Sequence, residues 1–301
     1  MILQSRPLID WTEPFVAYAG FIASFAATGA VGFRFAVLRE RILPVSTGGA
    51  DAELHRLANL RAAAVGLCGA LVSVGLFLTR APGLAERQHT TIANVLTSGQ
   101  SGLQLLILLA LAVGLILAML RFSPGWWLAG LAVVAEALRP AFTGQWNRLA
   151  NPIHMVAGGM WIGTLFIMVL AGLGSIPRSG LTPEARGLAG ARMVNAFSPV
   201  ALTSAAVLAA SGITTAWLHL KYVAALWTTP YGWTLIGKLV VVAGVVGLGA
   251  WNWRRQRPML GAEPATRLLR KSATAELIVA ALVLAITSIL VSLPSPHLPG
   301  H

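Results

Sequence analysis

A single histidine stands inside an apolar run at residues 151–165, NPIHMVAGGMWIGTL, beside two adjacent glycines and a tryptophan. In a helix starting near Pro152, His154 lies one turn in. His154, Gly158, Trp161 and Leu165 then recur at i, i+4, i+7 and i+11 and share one face. Neutral imidazole is a ligand for copper, zinc and haem iron. Gly158 and Gly163 would let another helix or a flat ligand approach the backbone closely, and Trp161 supplies a rigid wall. An ionisable side chain within an apolar span signals function; the plain alternative is an interfacial histidine on a packing seam. Met155 is a soft sulfur donor next to His154, but lies about 100° around the helix from it. It joins a shared ligand set only at a helix junction, and otherwise serves as apolar packing.

Lys238, in YGWTLIGKLVVVAGVVGLGAWNWRR, is the second anomaly. It sits seven residues past Tyr231, about 10 Å along a helix at 1.5 Å per residue. An ammonium at that depth costs a few kcal/mol unless it snorkels, faces water or finds an acceptor. Glu136, near the end of an earlier helix, is the expected counter-ion. His219 caps a further helix at the same end, so His154, His219, Lys238 and Glu136 are expected in one polar pocket. The preferred metal set is His154 with His219, with Met155 as a further donor. A bound macrocycle would instead use His154, Trp161 and Lys238.

The elements that must position these residues are greasy helices. Apolar residues make up 56% of the 301 residues and charged residues 11%, against roughly a quarter charged in soluble domains. The mean hydropathy is +0.73. Apolar runs near 14–38, 58–79, 99–120, 125–140, 152–173, 193–218, 231–252 and 273–293 are mostly long enough to cross a hydrocarbon core of about 30 Å; the fourth is short. The predicted fold is an all-α polytopic bundle of about eight transmembrane helices. It forms one membrane domain over 1–301, with four N-terminal helices in 1–148 and four more in 149–301. The loops after helices one, three, five and seven, with the helix ends that flank them, carry 15 of the 22 Lys and Arg residues. The positive-inside rule therefore predicts both termini on the periplasmic side of a bacterial inner membrane. Five of six histidines, His89, His154, His219, His297 and His301, then fall at the outer face. Membrane topology accounts for the net charge of +12 without nucleic acid as a partner. The lone cysteine, Cys68, excludes an intrachain disulfide, and no GxxxxGK[ST] motif supports ATP hydrolysis.

Four stretches in order carry a family resemblance: HMVAGGMWIGTL, AFSPVALTSAAVLAASGI, YGWTLIGKLVVVAGVVGLGAWNWRR and SILVSLPSP. Their elements are His154, Gly158, Trp161 and Gly163; Phe197 and Ser198 with Gly212; and Gly232, Lys238 and Asn252. Together they resemble the copper resistance protein D (CopD) family over residues 150–293. The resemblance implies an inner-membrane protein of copper homeostasis, a transporter or metal-binding protein rather than an enzyme. It also implies copper passage from periplasm to cytoplasm, beside a separate periplasmic carrier of the CopC type. The same helix pair is more distantly similar to HemJ-type membrane protoporphyrinogen oxidases, with His154 and Lys238 at the matching positions. That keeps a haem b reading with a redox role open. A third expectation is a structural subunit of a membrane complex, built on small-residue seams such as AGVVG and GLGA.

Overall fold

The computed structural model describes residues 11–39, 49–220, 223–256 and 263–293. Within helices it leaves side chains 218–220, 250, 252, 253, 255, 256 and 263–269 undescribed. The described elements are helices without strands, as expected. In chain order they are α1 (Thr12–Gly32), α2 (Ala50–Arg87), α3 (Ile92–Thr97), α4 (Gly99–Met119), α5 (Pro124–Phe142), α6 (Ala150–Gly158), α7 (Thr164–Ile167), α8 (Pro183–Leu220), α9 (Ala225–Thr228), α10 (Pro230–Gln256) and α11 (Glu263–Ser292). The fifth span is a composite. α6 and α7 are joined by a wide π turn at Gly159–Gly163, and a second π turn continues α7 over Met168–Leu173. A third, Phe33–Val37, ends α1.

Seven of these segments are long and apolar enough to cross a membrane. α5 is the eighth expected span and falls short of that threshold. Its 19 residues would extend about 28 Å at 1.5 Å per residue, but Glu136, Arg139 and Pro140 interrupt its apolar run. α2 runs far beyond the expected 58–79. Its 38 residues amount to about 57 Å, longer than a hydrocarbon core. Asp51 and Glu53 in its first turn and Arg87 in its last complement the helix dipole, so the polar flanks extend the helix. α8 likewise starts ten residues before the expected 193. Thr182 caps it by accepting from the Ala185 amide at 3.3 Å, ahead of Pro183 and Glu184 at the helix start.

One core runs through both halves of the chain. It joins Ala27 and Ala30 of α1 and Phe33 of the π turn after it to Ala62 of α2, Leu115 of α4, Ile167 and Met168 of the fifth span, and Met193 of α8. The fifth span is central: 67% of its apolar stretch is buried, against 17% in α8 and α10. It meets α1 at a crossing where a methyl on Gly29 or Gly163 would overlap the partner backbone. Such an approach requires glycine on both sides, and helix association in lipid relies on this kind of packing. Large apolar side chains such as Leu106, Leu131, Leu202, Ile213, Val240 and Ile278 point outward, as they do when the solvent is lipid.

Polar contacts pin the two ends. At the basic end, Arg61 donates to the Gly174 carbonyl at 2.9 Å and to Ser175 Oγ at 3.0 Å. That satisfies backbone acceptors left over where the fifth span stops. At the opposite end, Arg139 pairs with Glu136 at 3.2 Å and donates to Gln100 Oε1 at 3.3 Å. Gln100 in turn donates to Thr143 Oγ1 at 2.7 Å, which ties α4 to α5.

Candidate functional site

His154 is the fifth residue of α6 and is half-buried against α8. The contact depends on Gly212: a methyl there would stand 3.1 Å from the imidazole Cε1 and 3.5 Å from Nδ1. The missing side chain lets the ring reach the α8 backbone. Nδ1 lies 3.1 Å from the Leu208 carbonyl and 3.1 Å from Ser211 Oγ. A carbonyl only accepts, so Nδ1 carries the proton and donates. The Ser211 hydroxyl donates to the Val207 carbonyl at 2.7 Å, leaving its oxygen free to accept from the ring. Nε2 makes no hydrogen bond among the described residues. The neutral ring therefore presents the Nε2 lone pair, held in one orientation by its other nitrogen. Metal-binding imidazoles have this arrangement, with a carbonyl or carboxylate holding the far N–H.

Lys238, the ninth residue of α10, is half-buried and near enough to His154 for its charge to act on the ring. It makes no ion pair or hydrogen bond among the described residues. The expected counter-ion is elsewhere: Glu136 pairs with Arg139 one turn along α5 and is engaged with the α4–α5 network. Among the described residues no hydrogen bond or ion pair joins Lys238 to Glu136. Its own helix offers a guanidinium three residues away, which needs no second helix to bring it in.

The glycines serve a different purpose from the flat-ligand role expected of them. Gly158 faces the Phe25 ring, with a would-be methyl 2.6 Å from Cζ, and Gly159 faces Thr28. Gly163 lies against the α1 backbone. The expected common stripe is thus split, with His154 on α8 and Gly158 and Gly163 against α1. The π turn at Gly159–Gly163 causes part of this, because it inserts extra residues per turn and rotates the residues beyond it out of the 3.6-residue register. Trp161 lies within that turn, half-buried against the core. The space directly beside Gly158 and Gly163 is filled by α1.

His219 and Asn252 lie on α8 and α10, with side chains outside the described residues. His219 is seven residues past Gly212, about 10 Å further along α8. His297 and His301 lie outside the described residues, and His89 is exposed at the end of α2. Among the described residues no group of three or more His, Cys, Asp or Glu side chains is placed to hold a metal ion. Ser211 and the Leu208 carbonyl, which orient His154, escaped the sequence reading. The one signal for them is a serine directly before Gly212, one of several hydroxyl residues on α8.

No curated protein and no solved structure matches the chain. Residues 191–290 match the family model described as copper resistance protein D. The match holds Gly212 and Lys238 and leaves His154 outside it. In this multi-pass membrane helix bundle, the segment that seats the histidine and supplies the lysine is thus the part that is similar to the copper resistance protein D family.

Proposed function

We propose that the chain binds copper at His154 Nε2 and passes it across the bacterial inner membrane, entering from the periplasmic face. The observation that carries this reading is the oriented imidazole. Nδ1–H is tied to a carbonyl on the copper-resistance segment, and the ring's other nitrogen is left available beside a lone cation. Copper here is cargo. A transfer site must bind well enough to load and weakly enough to release. A single imidazole with Lys238 nearby has that character, since like charges repel more strongly in a medium of low effective dielectric than in water. Lys238 thereby keeps a metal cation from settling. Met155 and His219 are the proposed neighbours of His154 in the set, His219 as the earlier contact nearer the helix end. A separate CopC-type carrier is the proposed donor.

The test is metal content and a visible spectrum of the purified chain. Near-stoichiometric copper in a colourless protein, lost in His154→Ala and kept in His89→Ala, is the expected result. Equal copper retention in both variants removes the assignment. A Soret band in the purified protein replaces copper with haem as the ligand of His154.

A further inference from the structure

A threonine inside an apolar helix commonly gives its hydroxyl hydrogen to the carbonyl four residues back. Thr203, Thr214, Thr234 and Thr287 do so, at 2.9, 3.0, 2.8 and 2.7 Å. Thr164 departs from them. It is fully buried, and its Oγ1 has no hydrogen-bond partner among the described residues. The π turn before it contributes to this, since the Thr164 amide bonds to the Gly159 carbonyl five residues back and the turn is wider than an α turn. A buried hydroxyl in that condition destabilises the fold unless another group completes it.

The neighbour of this hydroxyl is sulfur. Gly32, the last residue of α1, faces the same point: a methyl there would overlap Thr164 Oγ1 and stand 3.1 Å from Met160 Sδ. One oxygen and one thioether, from residues one turn apart on the fifth span, therefore border the space that Gly32 leaves. No hydrogen bond joins the two. Thr28, one turn earlier on α1, is also buried and brings a second hydroxyl oxygen to the crossing, 3.4 Å from the place of a Gly159 methyl. Two π turns abut the spot. One, Gly159–Gly163, ends directly before Thr164, and the other, Phe33–Val37, begins directly after Gly32. Such turns are frequent at functional sites.

Depth connects this spot with His154. Met160 lies six residues past it, about 9 Å further in at 1.5 Å per residue, on the span whose apolar stretch is the most buried of those described. Thioether sulfur is a soft donor that selects copper in its monovalent state.

We propose that Met160 Sδ, with the Thr164 hydroxyl oxygen, forms a second, inner stop for monovalent copper arriving from His154. The inference rests on the copper reading above and adds the route beyond its first ligand. No electron is exchanged: the ion leaves an imidazole nitrogen and takes a thioether sulfur and a hydroxyl oxygen in the same oxidation state. Two neutral donors hold it loosely, as a site in transit requires. The inner stop is thus read by titration, not by copper retained through purification.

Silver ion, a soft monovalent stand-in for copper, is the probe, titrated into detergent-purified full-length protein by calorimetry. Every protein carries Cys68→Ser, because the exposed thiol would take silver itself. His154→Ala with Met155→Leu removes the outer donors, and this background is expected still to bind silver. Adding Met160→Leu, which conserves volume, should weaken that binding at least tenfold. Thr164→Val in the same background should weaken it at least threefold. Without metal, Thr164→Val should unfold at or above the temperature of its parent, since valine keeps the shape and removes an unpartnered hydroxyl. Absence of silver binding in the background overturns the inner stop, as does binding unchanged by Met160→Leu. A lower unfolding temperature in Thr164→Val overturns it too, because the hydroxyl would then already have a partner. Silver held through Met160 in a protein that carries no copper into vesicles would leave the inner site standing and remove the transport reading, so the two failures are distinct.

Discussion

Replacing Gly212 with alanine isolates the seat of His154 from the rest of the bundle. The added methyl would stand 3.1 Å from Cε1 and 3.5 Å from Nδ1, inside the ordinary carbon contact of about 3.5–4.0 Å. The ring must therefore retreat by a few tenths of an ångström. It cannot do so and keep both Nδ1 contacts, which already stand at 3.1 Å, near the long end of hydrogen-bond geometry. Two effects oppose each other in stability. Alanine gains about 1 kcal/mol over glycine inside a helix, and overpacking costs about 1–3 kcal/mol, so the net loss stays below about 2 kcal/mol. Copper affinity has no such compensation. Disturbing the group that orients a metal-binding imidazole costs about 10–100-fold, or about 1.4–2.8 kcal/mol. The assay is a copper titration in competition with a chelator, run beside thermal unfolding. Gly247→Ala in α10 is the control, because nothing stands within 4 Å of a methyl there; it should keep wild-type copper affinity. If Gly212→Ala gains stability as fully as the control and binds copper as tightly as wild type, the ring is not seated on α8 and the site collapses.

The same geometry sets three further outcomes. Lys238→Met should insert normally and hold copper at least as tightly as wild type, yet lose copper uptake into cells or vesicles; normal uptake would reduce the lysine to a snorkelling residue. Gly163→Ala should cost more than about 3 kcal/mol, because its methyl meets the α1 backbone, which cannot move aside as a side chain can; a monodisperse wild-type profile by size-exclusion chromatography would contradict that crossing. Glu136→Gln should lower the unfolding temperature by breaking the Arg139 pair that links α5 to Gln100 of α4, a loss of about 1–3 kcal/mol, while leaving copper content unchanged. A fall in copper content would return Glu136 to the neighbourhood of Lys238.

The residues that sequence reading located best were those whose cost is intrinsic. An ammonium in an apolar helix and an imidazole in an apolar run are expensive wherever the chain puts them, and His154 and Lys238 do come within electrostatic reach. The span positions were legible for a similar reason, since apolar length alone dictates them. Partners were harder to read. Glu136 looked free for Lys238 because the depth of both was visible, yet Arg139 three residues on was the nearer claim. Gly158 and Gly163 looked like room for a ligand, but a missing Cβ says only that something approaches closely. Whether that is a macrocycle or the Phe25 ring and α1 backbone depends on a helix more than 100 residues away.

The orienting contact of His154 shows why the chemistry of such a site is partly hidden. Its acceptor is the carbonyl of Leu208, a group that every residue carries and no residue type advertises. That carbonyl is reachable because Gly212, four residues on and one turn along α8, leaves its own flank open. Ser211 adds an oxygen whose hydroxyl hydrogen is already given to Val207. The histidine thus takes its tautomer from the shape of an apolar helix rather than from an acidic partner. This suits an imidazole in lipid, since a carboxylate in that place would bring its own desolvation cost and draw Lys238 into a salt bridge. With only carbonyl and hydroxyl oxygens holding the ring, Lys238 keeps its charge available to act on whatever cation His154 receives.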